Sequence, residues 1–293
     1  MDGVVVIDKP RGISSHDAVQ RLRKLLNVKR VGHLGTLDPL ATGVLPLVVG
    51  KATRLSQFFL NHDRAYETEI RVGFATNSYD ADGEPLGEPQ AVTLDRDAVM
   101  QALEPFRGRF EQTPPPVSAK KIGGAPAYKL ARKNVEVELE PVEIEIYDLQ
   151  LLAVEGDRIR LSMRCSSGTY VRSLAHDLGL ALGPGAHVTE LRRTAVGEFD
   201  LSMAHTFDEL AERKAADTLE EAFVDATELL PEMPAQRVDE TAAVRIQHGR
   251  DFRTLAFPSG PGAHRVKAIG PDGRLLAIGE LRLPQVYHPI IVF

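Results

Sequence analysis

Hydrophobic positions along the chain switch repeatedly between two periods. Residues 3–7 (GVVVI) are apolar without interruption, as in a strand buried on both faces, and Lys9-Pro10-Arg11-Gly12 closes the run as a turn. Ser14 or Ser15 then caps a predicted helix over residues 16–26, where Ala18, Val19, Leu22, Leu25 and Leu26 recur at helical spacing. LPLVVG reads as a short strand and ATRLSQFFL as a helix, while YETEIRVGF alternates from Tyr66 to Phe74 as a half-buried strand does. NSYDADGEP follows as a polar turn.

Further on, residues 94–106 and 170–182 carry helical spacing, the second stopped by Gly183-Pro184-Gly185. Residues 142–152 and 158–165 form a strand pair around Glu155-Gly156-Asp157, and strand character returns at Thr189. The stretch from Gln112 to Lys133, with its PPP and GG, is a long excursion from the core. Two prolines at 231 and 234 mark a boundary, and VKAIG-PDG-RLLAIGEL beyond it is a hairpin. These elements predict an α+β fold, with a mixed, largely antiparallel sheet flanked by helices and a small β-rich C-terminal domain. The expected division is residues 1–233 and 234–293.

Composition narrows the chemistry. The 293 residues are 43% hydrophobic, enough for a sizeable core. The single cysteine, Cys165, excludes an intramolecular disulfide framework and a Cys-based zinc cluster, and the nine histidines lack H-x-x-x-H spacing, so no metal is expected. With no leader-like or membrane-spanning run, the expectation is a cytoplasmic protein off the membrane. The net charge of −6 is unevenly spread. Lys120, Lys121, Lys129, Arg132 and Lys133 meet no acid between residues 113 and 133, and nine basic residues outnumber four acids over residues 1–60. Eleven acids gather between Asp208 and Glu240. This suits a positive face offered to a polyanion, and ordinary surface patchiness produces it as well.

GHLGTLDPLATGVLP, residues 32–46, sets an aspartate in a turn between apolar runs. Residue types alone make Asp38 a helix start or a turn, as N-cap with Pro39 at the first helical position and Gly43 as exit, or a reacting carboxylate. The glycines match neither a P-loop nor a dinucleotide fingerprint, and Ser14 and Ser15 lie in no nucleophile elbow.

Here the chain resembles the TruB-type tRNA pseudouridine-55 synthases. GHLGTLDPLATGVLPLVVGKATRLSQF resembles the catalytic motif of that family, VIDKPRGISSHDAV its opening motif, and QTPPPVSAKKIGGAPAYKLAR its thumb segment. CSSGTYVRSLAHDLG and GAHVTELRRTAVGEF resemble its third core block, and all four occur in the family's order over residues 3–230.

The resemblance implies isomerisation of a T-loop uridine at tRNA position 55 to pseudouridine, with no cofactor, metal or guide RNA, by a monomer bound to the T-arm stem-loop. It makes Asp38 the catalytic aspartate, Arg172 its cationic partner, and Tyr66 the active-site tyrosine against the flipped base. His33 then fills the space that the base leaves, Asp80 lies near the flipped base, and Arg54 lies close to the catalytic carboxylate. Tyr170 and Leu191 line the uracil pocket. The basic segment, about residues 112–138 with Lys120, Lys121 and Lys129, corresponds to a thumb that contacts RNA phosphates. The C-terminal part resembles a PUA domain. Leu34 and Thr36 depart from the pattern, as does Val117, which stands where a tyrosine is expected. A tRNA-folding chaperone in which turnover is secondary is the alternative, and the guide-dependent branch of the superfamily lacks such a thumb.

Overall fold

Strands β1 (Gly3–Lys9) and β3 (Thr42–Val49) pair antiparallel over their full lengths, with Val5 opposite Leu47 and Lys9 opposite Gly43. Their near-continuous valine and leucine content follows from burial on both faces. A computed structural model of the chain describes residues 2–117, 121–122, 125–126, 139–253 and 264–293. Around β1 and β3 it builds an eleven-stranded sheet. The other long members are β2 (Val31–His33), β4 (Arg64–Val72), β5 (Gly108–Gln112), β6 (Val142–Glu155), β7 (Arg158–Cys165) and β8 (Ala186–Val196). The path runs β1-β3-β8-β4-β7-β6-β5, antiparallel except where β8 joins β3. The predicted mixed, largely antiparallel sheet is thus present.

Helices α1 (Ser15–Leu26), α2 (Arg96–Leu103) and α3 (Val171–Leu182) cover one face. Ser14 caps α1 in a capping box with Asp17, whose carboxyl is held below its usual range by the Ser14 hydroxyl and backbone N–H. On that face Val5, Ile7, Tyr66, Ile70 and Leu191 pack with Leu22, Leu103 and Leu174 in one core. The alternate residues Val4, Val6, Val44 and Val48 point the other way, where Phe59, Phe199 and Leu229 meet Ile269, Ile278 and Ile291. Those isoleucines belong to a separate five-stranded sheet that contains the predicted hairpin, strands Arg265–Ile269 and Leu275–Leu283.

Two local expectations change. No helix starts at Asp38: residues 34–41 are irregular, with bends at 34–35 and 39–40, and the Ala41 N–H donates to the Asp38 carbonyl at 3.1 Å. The N-cap alternative therefore falls, because β3 begins at Thr42 and draws the chain into the sheet. ATRLSQFFL lies in a 3₁₀ helix, Gly50–Phe59, in place of an α-helix.

Candidate active site

The loop that carries Asp38 is gripped on both sides of that residue. Ser15 Oγ, at the start of α1, donates to the Leu37 carbonyl at 3.1 Å and accepts from the Leu37 N–H at 2.8 Å. The Pro39 carbonyl accepts from the Gly12 N–H at 2.8 Å and from Lys9 Nζ at 3.4 Å. With Leu37 and Pro39 fixed, the Asp38 side chain projects from a rigid turn and stays 37% exposed.

Arg172 meets it from the first turn of α3. Its Nη2 lies 2.9 Å from Asp38 Oδ2, and its Nη1 lies 3.4 Å from Asp80 Oδ2. The same nitrogens donate to the carbonyls of Ser78 and Val117, each at 3.0 Å. Arg172 is 5% exposed, so its orientation is set by these four partners. Gln112 locks the helix start by accepting from the Tyr170 N–H at 2.8 Å and donating to the Tyr170 carbonyl at 3.0 Å. Asp80 is buried rather than solvated: Ser78 Oγ donates to it at 2.6 Å, and it bridges to Val188 of β8. At Val117 the backbone carbonyl makes the contact, so the absent tyrosine ring does not remove it.

A cavity of about 220 Å³ opens beside the pair, lined by Thr36, Asp38, Arg64, Tyr66, Tyr170, Arg172 and Leu191 among others. Asp38 is the one carboxylate among its described lining residues. Tyr66 is 6% exposed, and burial pushes its phenol above the ordinary value while the Arg193 guanidinium opposes the shift. Arg193, opposite Tyr66 in the strand register, is fully buried and donates to the carbonyls of Val44 at 2.8 Å, Thr36 at 3.1 Å and Gly35 at 3.2 Å. Burial lowers its pKa, with Tyr66 resisting. Lys9 is also fully buried, on the carbonyls of Pro10, Ile13 and Pro39, and burial brings its pKa down to about 8 while Asp38 resists.

The structure therefore brings Asp38, Tyr66, Asp80, Tyr170, Arg172 and Leu191 to one place. His33, on β2, sits behind the Asp38 loop with its Nδ1 buried and without a hydrogen-bond partner among the described residues. Burial and the Arg193 charge lower its pKa. Arg54 is not brought to the pocket: its guanidinium donates to the Val292 carbonyl in the C-terminal sheet, because the 3₁₀ helix packs on the far face. Lys120 and Lys129 lie outside the described residues, and of Lys121 only its strand, Lys121–Ile122 paired with Ala125–Pro126, is described. Cys165 is buried, and burial pushes its thiol up to about 11.

Sequence reasoning missed Lys9, Arg64 and Arg193. A signal was present in strand parity: Lys9 shares a face with Val5 and Ile7, Arg64 with Tyr66, and Arg193 with Leu191.

Comparison with known proteins shows the family. Residues 23–171 match the model of the TruB family pseudouridylate synthase N-terminal domain, and residues 172–231 that of the tRNA pseudouridylate synthase B C-terminal domain. The chain is 54% identical over 292 residues to a tRNA pseudouridine synthase B of Solibacter usitatus, covering 100% of both. It is 44% identical to that of Stutzerimonas stutzeri, over 96% of this chain and 92% of the relative. Among solved structures, it superposes with a TM-score of 0.74 and 25% identity on a chain of an H/ACA RNP bound to a substrate RNA containing 2'-deoxyuridine, covering 99% of this chain and 84% of that one. A chain of a Cbf5-Nop10-Gar1 complex gives 0.70 at 27% identity, over 97% and 79%.

Proposed function

Since the chain belongs to the TruB family of pseudouridylate synthases, we propose that it isomerises a T-loop uridine of tRNA, at the position numbered 55, without a guide RNA or a cofactor. The relatives named above are tRNA pseudouridine synthases, which supports tRNA as the substrate. The observation that carries the reading is the Asp38–Arg172 pair at 2.9 Å on the wall of a cavity with no other carboxylate among its described lining residues.

Isomerisation breaks the bond between ribose C1' and uracil N1, turns the base over and joins C1' to C5; the C5 proton is released and N1 takes up a proton in its place. The net composition of the nucleotide is unchanged. A target stacked in a folded loop must first be extruded, and a cavity of this size admits a single pyrimidine ring. Asp38 is the group that acts on the extruded nucleotide. Arg172 fixes its carboxylate, and Asp80 in turn fixes Arg172. Tyr66 and Leu191 supply a ring and an apolar surface against the base, and Tyr170 lines the entrance to α3. His33, behind the loop, occupies the space vacated by the base. Lys120, Lys121 and Lys129 contribute phosphate contacts through the thumb segment.

The test is a time course on an unmodified tRNA transcript, with pseudouridine mapped by position. Conversion of one T-loop uridine by the protein alone is expected. Binding without conversion would favour the folding-chaperone reading, and conversion only after RNA guides are added would place the protein in the guided branch.

A further inference from the structure

Two arginines, Arg64 and Arg172, line the Asp38 cavity, a third, Arg193, is buried on the carbonyls of the Asp38 loop, and the three differ in how their donors are used. Arg193 gives three nitrogens to backbone carbonyls, and Arg172 divides two among Asp38, Asp80, Ser78 and Val117. Arg64, which opens β4 two residues before Tyr66, is only partly buried and lines the same cavity. Among the described residues its guanidinium makes one long bond, Nη1 to the His62 carbonyl at 3.4 Å, and no ion pair.

Its position is nevertheless defined. Gly35, in the Asp38 loop, has φ +109°, and a Cβ there would lie 3.2 Å from Arg64 Nη2 and 3.5 Å from Arg193 Nη1. The Arg64 guanidinium therefore lies against Gly35, where a side chain would crowd it. Two guanidiniums beside one glycine repel each other, and the Arg64 charge adds to burial in lowering the Arg193 pKa. An anion beside Arg64 relieves that repulsion.

We propose that Arg64 is a phosphate-binding residue, taking non-bridging oxygens of an RNA backbone linkage that flanks the extruded uridine. This rests on the reading of the cavity given under Proposed function. An extruded nucleotide brings a phosphate on each side of it to the cavity mouth, and the free guanidinium fork matches the geometry of phosphate oxygens. Asp38 is already paired with Arg172, so Arg64 is the cation left with donors to offer. Such a contact anchors the backbone and carries no base information.

The experiment uses a T-arm stem-loop RNA in which single linkages are made neutral methylphosphonates on a 2'-O-methyl ribose, each compared with the same ribose carrying an ordinary phosphate. Wild type and Arg64→Gln are assayed for conversion and binding, with thermal melting as a check on folding. Arg64→Gln is expected to raise KM about tenfold, more than it changes kcat, and to flatten the plot of log affinity against log salt by about one phosphate's worth. Neutralising one flanking linkage is expected to cost wild type a similar factor and to cost Arg64→Gln nothing more. Equal losses for both proteins at both flanking linkages would overturn the assignment. Were the variant unfolded, wild type alone would decide: indifference to both neutral linkages also overturns it. Failure of wild type to convert the unmodified stem-loop would overturn the underlying reading, a result distinct from loss of the Arg64 cycle alone.

Discussion

Lys9 and Lys267 are both buried, and both direct their ammonium groups at backbone carbonyls: Lys9 at Pro10, Ile13 and Pro39, Lys267 at Thr227 and Leu229. Burial lowers the pKa of each. They differ in what surrounds them. Lys9 feels the charges of Asp38 and Arg193, and Asp38 is paired with Arg172 on the wall of the cavity. Lys267 sits in the C-terminal sheet and ties the segment around residues 227–229 to it, with the charges of Glu232, Glu198 and Glu228 opposing the effect of burial. A buried charge caged by carbonyls is thus a structural device in both places. What distinguishes the site is that several such cages hold one loop, and that this loop presents a carboxylate to an empty volume.

The strongest way to break this comparison is to empty the largest cage. Arg193→Met leaves the carbonyls of Gly35, Thr36 and Val44 without their donor and is expected to cost about 3 kcal/mol of stability. It should also lower activity, because the Asp38 loop loses its anchor. Thermal melting and conversion of a tRNA transcript measure the two effects. Arg172→Lys keeps the charge but cannot serve Asp38, Asp80 and two carbonyls at once, so kcat should fall by roughly 10²-fold.

The lysines themselves provide the sharper contrast. Lys9→Met and Lys267→Met should each lose about 1–3 kcal/mol in urea unfolding. Lys9→Met alone should also depress kcat, since Pro39 and the turn after β1 lose their shared donor. Equal effects on turnover would erase the distinction between the two regions.

The smallest effect belongs to the seam between them. His62 Nδ1 lies 3.4 Å from Glu198 Oε2, and Glu198 Oε1 accepts from the Leu230 N–H at 3.0 Å. The hydrogen bond to Glu198 raises the His62 pKa above its usual 6.5. A raised histidine pKa contributes stability that is complete below the unfolded value and disappears as pH rises through the folded one. The stability that His62 contributes should therefore fade from pH 6 to pH 8 by an amount under about 1 kcal/mol, read as a melting-temperature difference between wild type and His62→Ala that shrinks over that range.

How far the sequence reached is visible in single elements. Helix α1 and its serine cap were legible because local chemistry decides them: the apolar spacing and the Ser14–Asp17 capping box need no tertiary partner. The C-terminal hairpin was legible for the same reason. Local residue types leave Asp38 between a cap, a turn and a reacting group, because its partner, Arg172, lies 134 positions along the chain and only the fold joins them. Asp80 looked like a turn residue, and burial against Val188 made it part of the Arg172 cage. Arg54 was placed at the site by motif position alone, which carries no information about the face of the sheet on which a residue falls.

The central claim is that Asp38 is the reacting carboxylate and that the rest of the region exists to aim it. Single-turnover conversion of an unmodified tRNA transcript by Asp38→Asn, alongside wild type, tests this most directly. The account predicts a loss of at least about 10³-fold in conversion, with RNA binding and melting temperature unchanged. Conversion at the wild-type rate would contradict it.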